Sequence, residues 1–243
     1  MTDRPKSASL LLEIFVIVVS ILLAFSIDAM WEDRQESKTR SELIELLIVD
    51  FDVTALRLGE AIAAHQTHID QNKRFLEIIS SGEPIERDEF GELAYSFVTV
   101  EFFKPALSTY EAAVGSDGLA SIHSPVLSES IAEFYQNLEA FDYHMQVFKD
   151  IYYLGSINDI RKQVGSWGVL LRGETDCIGR SCIFPKELDM SVAELRKFVV
   201  RPDVYAGFES SRIAQINLFE SLRAMDAATS KILAELKSMR KRQ

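Results

Sequence analysis

Ser7-Ala-Ser-Leu-Leu-Leu-Glu-Ile-Phe-Val-Ile-Val-Val-Ser-Ile-Leu-Leu-Ala-Phe-Ser-Ile27 is a run whose only charge is Glu13. Wound as one α-helix at 1.5 Å per residue, it reaches about 31 Å, enough to cross the ~30 Å hydrocarbon layer of a bilayer. No later stretch approaches that length without charges. The run predicts a transmembrane helix over residues 9–30. A short cytoplasmic tail, residues 1–8, is expected before it, and an extracytoplasmic helical bundle domain, residues 31–243, after it. A cleaved signal peptide is the competing reading, since Ala24-Phe25-Ser26 is a passable small-x-small site. Glu13 interrupts the apolar core that such a peptide needs, so the uncleaved anchor is the expectation.

Outward from the anchor, helical periodicity dominates. Between Asp28 and Ser81 there is no proline, and the only glycine is Gly59. Ile44, Leu47, Phe51, Leu58, Ile62, Ile69, Leu76 and Ile79 fall on one helical stripe. This predicts a long amphipathic helix into which the membrane helix runs, ended by Ser81-Gly82-Glu83-Pro84. A short helix is expected over residues 88–97. Ser108-Thr-Tyr-Glu111 reads as a capping box opening a helix that stops near Gly115, with Ser116-Asp-Gly118 as a turn. Ser124-Pro125 supplies an N-cap and a first-turn proline for a helix running past Tyr153. Its apolar face is Ile131, Phe134, Leu138, Phe141, Met145 and Phe148, and Phe148-Lys-Asp-Ile-Tyr-Tyr153 reads as core rather than a ligand box. Residues 165–189 form the one long irregular stretch. Ser191-Val-Ala-Glu194 is a second capping box, Arg201-Pro-Asp breaks that helix, and a last helix is expected over about 204–239 with Ile213, Ile216, Leu222 and Ile232 inward. The fold class is all-α: an antiparallel bundle outside the membrane.

The 243 residues carry a net charge of −11, unevenly spread. The first ten residues hold +1 and the last fourteen +4, which leaves −16 for the stretch between. An acidic body of that kind argues against nucleic acid as a partner. The positive-inside count is nearly tied, with Arg4 and Lys6 before the anchor and Arg34, Lys38 and Arg40 after it. Cys177 and Cys182 break the tie. Their spacing, Cys-Ile-Gly-Arg-Ser-Cys, suits a small disulfide loop in an oxidising compartment; two unpaired thiols are the alternative. The expected location is the inner (plasma) membrane, single-pass, with the N-terminus cytoplasmic and the body periplasmic.

Glu13-Ile-Phe-Val-Ile-Val-Val-Ser-Ile-Leu-Leu-Ala-Phe-Ser-Ile-Asp-Ala-Met-Trp-Glu32 resembles the anchor of an uncharacterised bacterial family of small single-pass membrane proteins, of the form Glu-Ile-x-Leu-Val…Ile-Leu-Ile-Ala-Leu…Trp-Asn-Glu. Glu13, Ile21, Leu22, Ala24, Ile27, Trp31 and Glu32 match it, with Ser20 in place of a glycine and Asp28 in place of an asparagine. Thr109-Tyr-Glu-Ala-Ala-Val-Gly-Ser-Asp-Gly-Leu-Ala-Ser-Ile122 is similar to a second motif of that family. The resemblance implies an anchor and a helical body, and no activity.

An acid within a membrane segment is costly and marks a functional surface by default. Ile17, Ser20 and Ala24 cluster near the face of Glu13, with Trp31 in line, so the face is one acid among small residues, as close helix packing requires. An oligomer interface, a docking acid, a pore lining and simple snorkelling to the headgroups are the readings of that face. Trp31 reads as an interfacial anchor. On the long helix His65, His68 and Asn72 fall at a, d and a positions of a heptad and read as a polar layer that would fix register in an oligomer. Two histidines alone make a weak metal site, and no metal or cofactor is expected. No Gly-x-Ser-x-Gly elbow, phosphate loop or Cys-x-x-Cys pair is present, so no enzymatic activity is expected. The functional expectation is a membrane-anchored helical scaffold in the lipid bilayer that self-associates or binds another membrane protein. A homo-oligomeric channel with a Glu13 ring is the first alternative, and an extracytoplasmic ligand sensor the next.

Overall fold

The computed structural model describes residues 6–115, 118, 122, 124–159 and 191–242, and their side chains apart from those of 6–14, 87 and 88. Among the described residues the chain is mostly helical and holds no strand. Its described helices include α1 (Lys6–Ser81), α2 (Arg87–Tyr95), α3 (Ser108–Gly115), α4 (Pro125–Tyr153), α5 (Val192–Val199) and α6 (Pro202–Arg242). Cys177 and Cys182 lie outside the described residues, so their pairing stays an expectation.

α1 runs unbroken for 76 residues, because no proline interrupts it and its one internal glycine, Gly59, costs only about 1 kcal/mol. It stops where Gly82 takes φ +72°, the left-handed conformation that glycine adopts without a Cβ penalty. Gly82 donates its amide to Ile78 O at 3.2 Å. Arg74 pairs with both oxygens of Glu83 at 3.0 and 2.7 Å across the same turn.

The chain divides into two compact units. The first takes residues 1–50, 107–124 and 236–243. In it every side chain from Phe15 to Thr39 is exposed, and burial begins at Ile44, Leu47 and Ile48. The helix from Phe15 is long and apolar enough to cross a membrane. Ser108 is the first residue inside α3 rather than the cap before it. The open amide of Thr109 is met instead by Asp50 Oδ2 of α1 at 2.7 Å, so a carboxylate from another element caps the helix N-terminus.

The second unit takes residues 51–106 and 125–235. Phe75, Phe90, Phe97 and Phe208 meet one another at its centre, with ring centroids 4.8 to 5.4 Å apart. All four are fully buried, and α2, α5 and the start of α6 pack their apolar faces on this cluster. Away from it, Phe51 of α1 meets Phe134 of α4 edge to face at 5.9 Å. α5 opens with the Ser191–Glu194 capping box in both directions. α6 begins at Pro202, two residues before the expected start. A proline at the first helical position lacks only an amide that would have no partner there, so Pro202 opens α6 as well as ending α5.

Candidate functional site

Two features of this chain call for a functional account: the exposed apolar part of α1, and a polar seam inside the second unit. The first is simple in geometry. Ile17 is 54% and Trp31 70% exposed, and Ser20 and Ala24 are exposed on the same helix. The side chain of Glu13 lies outside those described; its backbone belongs to α1. Ser20 Oγ donates to Val16 O and Ser26 Oγ to Leu22 O, each at 2.8 Å. Both hydroxyls are thus satisfied inside their own helix.

The seam is set by heptads. Within the second unit the buried row of α1 is Phe51, Thr54, Leu58, Ala61, His65, Asn72, Phe75 and Ile79, with Ile78 buried beside it. They step by three and four, with half-buried His68 filling the gap. On α6 the buried row is Val204, Phe208, Ser211, Gln215, Leu218, Leu222, Met225, Thr229 and Ile232, again in alternating steps of four and three. Several of these positions are polar, and burying a polar group without a partner costs about 1–3 kcal/mol.

Most of the partners lie in one non-helical segment, residues 96–106, which begins with the turn that follows α2. Thr54 Oγ1 donates to Ala106 O at 3.2 Å and accepts the Ala106 amide at 3.0 Å. Arg57 donates to Lys104 O at 3.1 Å. His65 Nε2 donates to Glu101 O at 3.3 Å. From α6, Gln215 Nε2 donates to Ser96 O at 2.7 Å and Thr99 O at 2.9 Å, and Ser211 donates to Phe97 O. Asn72 donates to Gln215 Oε1 and accepts from Ser96 Oγ. The polar layer therefore straps this non-helical segment to α1 and α6, supplying partners for backbone groups that no helix or sheet ladder satisfies there.

His65, His68 and Asn72 do share the seam, but Asn72 joins the Gln215–Ser96 group rather than the histidines. His65 Nδ1 and both ring nitrogens of His68 are buried without a hydrogen-bond partner. Burial lowers the His65 pKa below its ordinary value, and His68 adds to that, against the opposing pull of the Glu101 carbonyl. Among the described residues no three His, Cys, Asp or Glu side chains converge as metal ligands. The seam residues Thr54, Ser96, Ser211 and Gln215 were not singled out from sequence. Stepping back by four and three from Leu222 reaches Leu218, Gln215, Ser211 and Phe208, and that rule would have found two of them.

The chain matches no protein-family model, no curated protein and no solved structure.

Proposed function

We propose that this protein is a membrane-anchored helical scaffold, without catalytic activity, that associates with itself or with another membrane protein. The observation that carries the reading is the exposure of every side chain from Phe15 to Ile27 on an unbroken helix. Apolar surface of that extent needs cover, and lipid together with a second helix is the cover that a continuous apolar cylinder fits. The contact face is Glu13, Ile17, Ser20 and Ala24, where small side chains let helix backbones approach, with Trp31 at the headgroup level. α1 then carries that contact into the body, an antiparallel bundle. The pairs Asn72–Gln215 and Phe75–Phe208 support this arrangement, because residue number rises along α1 as it falls along α6.

The pore alternative needs polar groups along the whole membrane depth. Ser20 and Ser26 turn their hydroxyl protons to their own helix, which favours the scaffold. For topology the reading is an inner-membrane protein with residues 1–8 in the cytoplasm and residues 31–243 in the periplasm. Single cysteines at Lys6 and at Ser81, in a chain with Cys177→Ser and Cys182→Ser, test it with an impermeant thiol reagent. Labelling at 81 and shielding at 6, once the outer barrier is opened, is the expected result. The reverse pattern would overturn the orientation.

A further inference from the structure

Phe102 follows the strapped Glu101 and is 75% exposed, although it is a large apolar side chain. It forms one wall of a cleft of about 270 Å³ within the second unit, near the lower edge of the roughly 300–1,000 Å³ usual for small-molecule sites. Tyr95 from α2, and Phe148, Tyr152 and Tyr153 from the end of α4, form the other walls. Half of the ten lining residues are aromatic, and Lys149 is the one charged residue among them. Its ammonium lies 5.9 Å from the centre of the Phe102 ring and makes no ion pair among the described residues. In a chain of net charge −11, a lysine in a cleft of rings with no carboxylate partner among the described residues offers a position to an anion. The sequence reading placed the 148–153 stretch in the core. Phe148 is there, and Ile151 and Tyr152 pack against the Phe75 cluster, but Lys149 and Tyr153 are exposed.

We infer that this cleft binds a small planar aromatic carboxylate, its ring between Phe102 and the tyrosines and its carboxylate on Lys149. Stacked and edge-on ring contacts select a flat aromatic body, and an ammonium in an otherwise uncharged cleft selects one negative charge. The strap gives the site a rigid floor: Gln215 holds the Thr99 carbonyl and His65 that of Glu101, so both sides of Val100 are fixed before a ligand arrives. This binding does not depend on the scaffold reading.

The test uses the full chain in phosphatidylcholine nanodiscs, with empty nanodiscs as the blank for partition into lipid. The probe is 2-naphthoate, followed by isothermal titration, with 2-naphthalenemethanol and 2-naphthylmethylammonium as neutral and cationic counterparts. Saturable binding of one naphthoate per chain is expected, with both counterparts weaker by about tenfold or more, the scale of one charge-assisted hydrogen bond. Lys149→Gln should bring naphthoate down to the level of the alcohol. Lys73→Gln, which changes an exposed lysine elsewhere on the unit, should leave it unchanged. Phe102→Ala should weaken all three probes, and since Phe102 is exposed, its truncation spares the core. No saturable binding at up to about 1 mM, the weak end of measurable affinity, would overturn the inference. So would equal binding of the three probes, or equal losses in Lys149→Gln and Lys73→Gln.

Discussion

Gln215→Leu should destabilise the second unit, although it places a leucine in a seam that already holds Leu218 and Leu222. Gln215 is fully buried. Its amide donates to Ser96 O and Thr99 O, and its carbonyl accepts from Asn72. Leucine fills a similar volume and makes none of these bonds. Three groups lose a partner at roughly 1–3 kcal/mol each. The Thr99 carbonyl, at the half-buried edge, recovers part of its loss from water. The expected net cost is about 3–5 kcal/mol, a large share of the roughly 5–15 kcal/mol that holds a domain together. Urea unfolding followed by far-UV circular dichroism, on full chain in nanodiscs, reads the shift in midpoint. Hydrogen exchange localises it, with faster exchange of the peptide covering residues 96–106. In Asn72→Leu/Gln215→Leu the cost should fall short of the sum of the two single changes, because both remove the same bond. An unchanged or raised midpoint in Gln215→Leu would refute the strap, since it would mean that the seam prefers plain apolar packing.

Phe75→Ala removes the ring that touches Phe90, Phe97 and Phe208 at once and should cost about 3–5 kcal/mol in the same unfolding assay; a loss below about 1 kcal/mol would show that these rings are not the centre of the core. Ser191→Ala should cost about 1 kcal/mol by deleting a reciprocal cap, and faster amide exchange confined to α5 checks it. Acid should also weaken the second unit. His65 has its folded pKa below the unfolded value of 6.5, so the neutral form belongs to the fold. Stability is full above that unfolded value and falls as the pH drops through it toward the lower folded one. Urea midpoints at about pH 7.5 and pH 5 should differ, and His65→Asn should shrink the difference, since it removes the titrating group.

The sequence was most legible where a single residue type dictates backbone geometry. Gly82 and Pro84 mark the end of α1, Pro125 the start of α4, and Ser191 with Glu194 the cap of α5. These signals are local, so no partner from elsewhere is needed to read them. The α3 cap was not legible. Ser108-Thr-Tyr-Glu111 has the residue types of a capping box, but Asp50, far away in sequence, supplies the acceptor. The stripe on α1 was half legible. Ile62, Ile69 and Leu76 suggest a face that the structure leaves only half-buried, while Ala61, His65 and Asn72 are buried. A non-helical segment carries its polar backbone against the helix, so the seam beneath it favours polar and small side chains over apolar ones. His65 and Asn72 could be placed in register from sequence, but their partners could not, because Glu101 O and Gln215 are set by tertiary contact. The aromatic cleft was hidden for a similar reason: an aromatic stripe near a helix end looks like core until the exposure of members such as Tyr153 is known.

The central claim is that the exposed apolar segment of α1 is an association surface within a membrane. Its most direct test is the native mass of the full chain after mild extraction from its own membrane, set beside Ser20→Leu, which fills the Glu13 face with bulk and leaves the anchor apolar. The account predicts that the wild-type chain leaves the membrane in a complex heavier than its own 27.5 kDa, and that Ser20→Leu reduces it to the single chain. A wild-type chain that emerges alone at 27.5 kDa, or a complex of unchanged mass in Ser20→Leu, would contradict it.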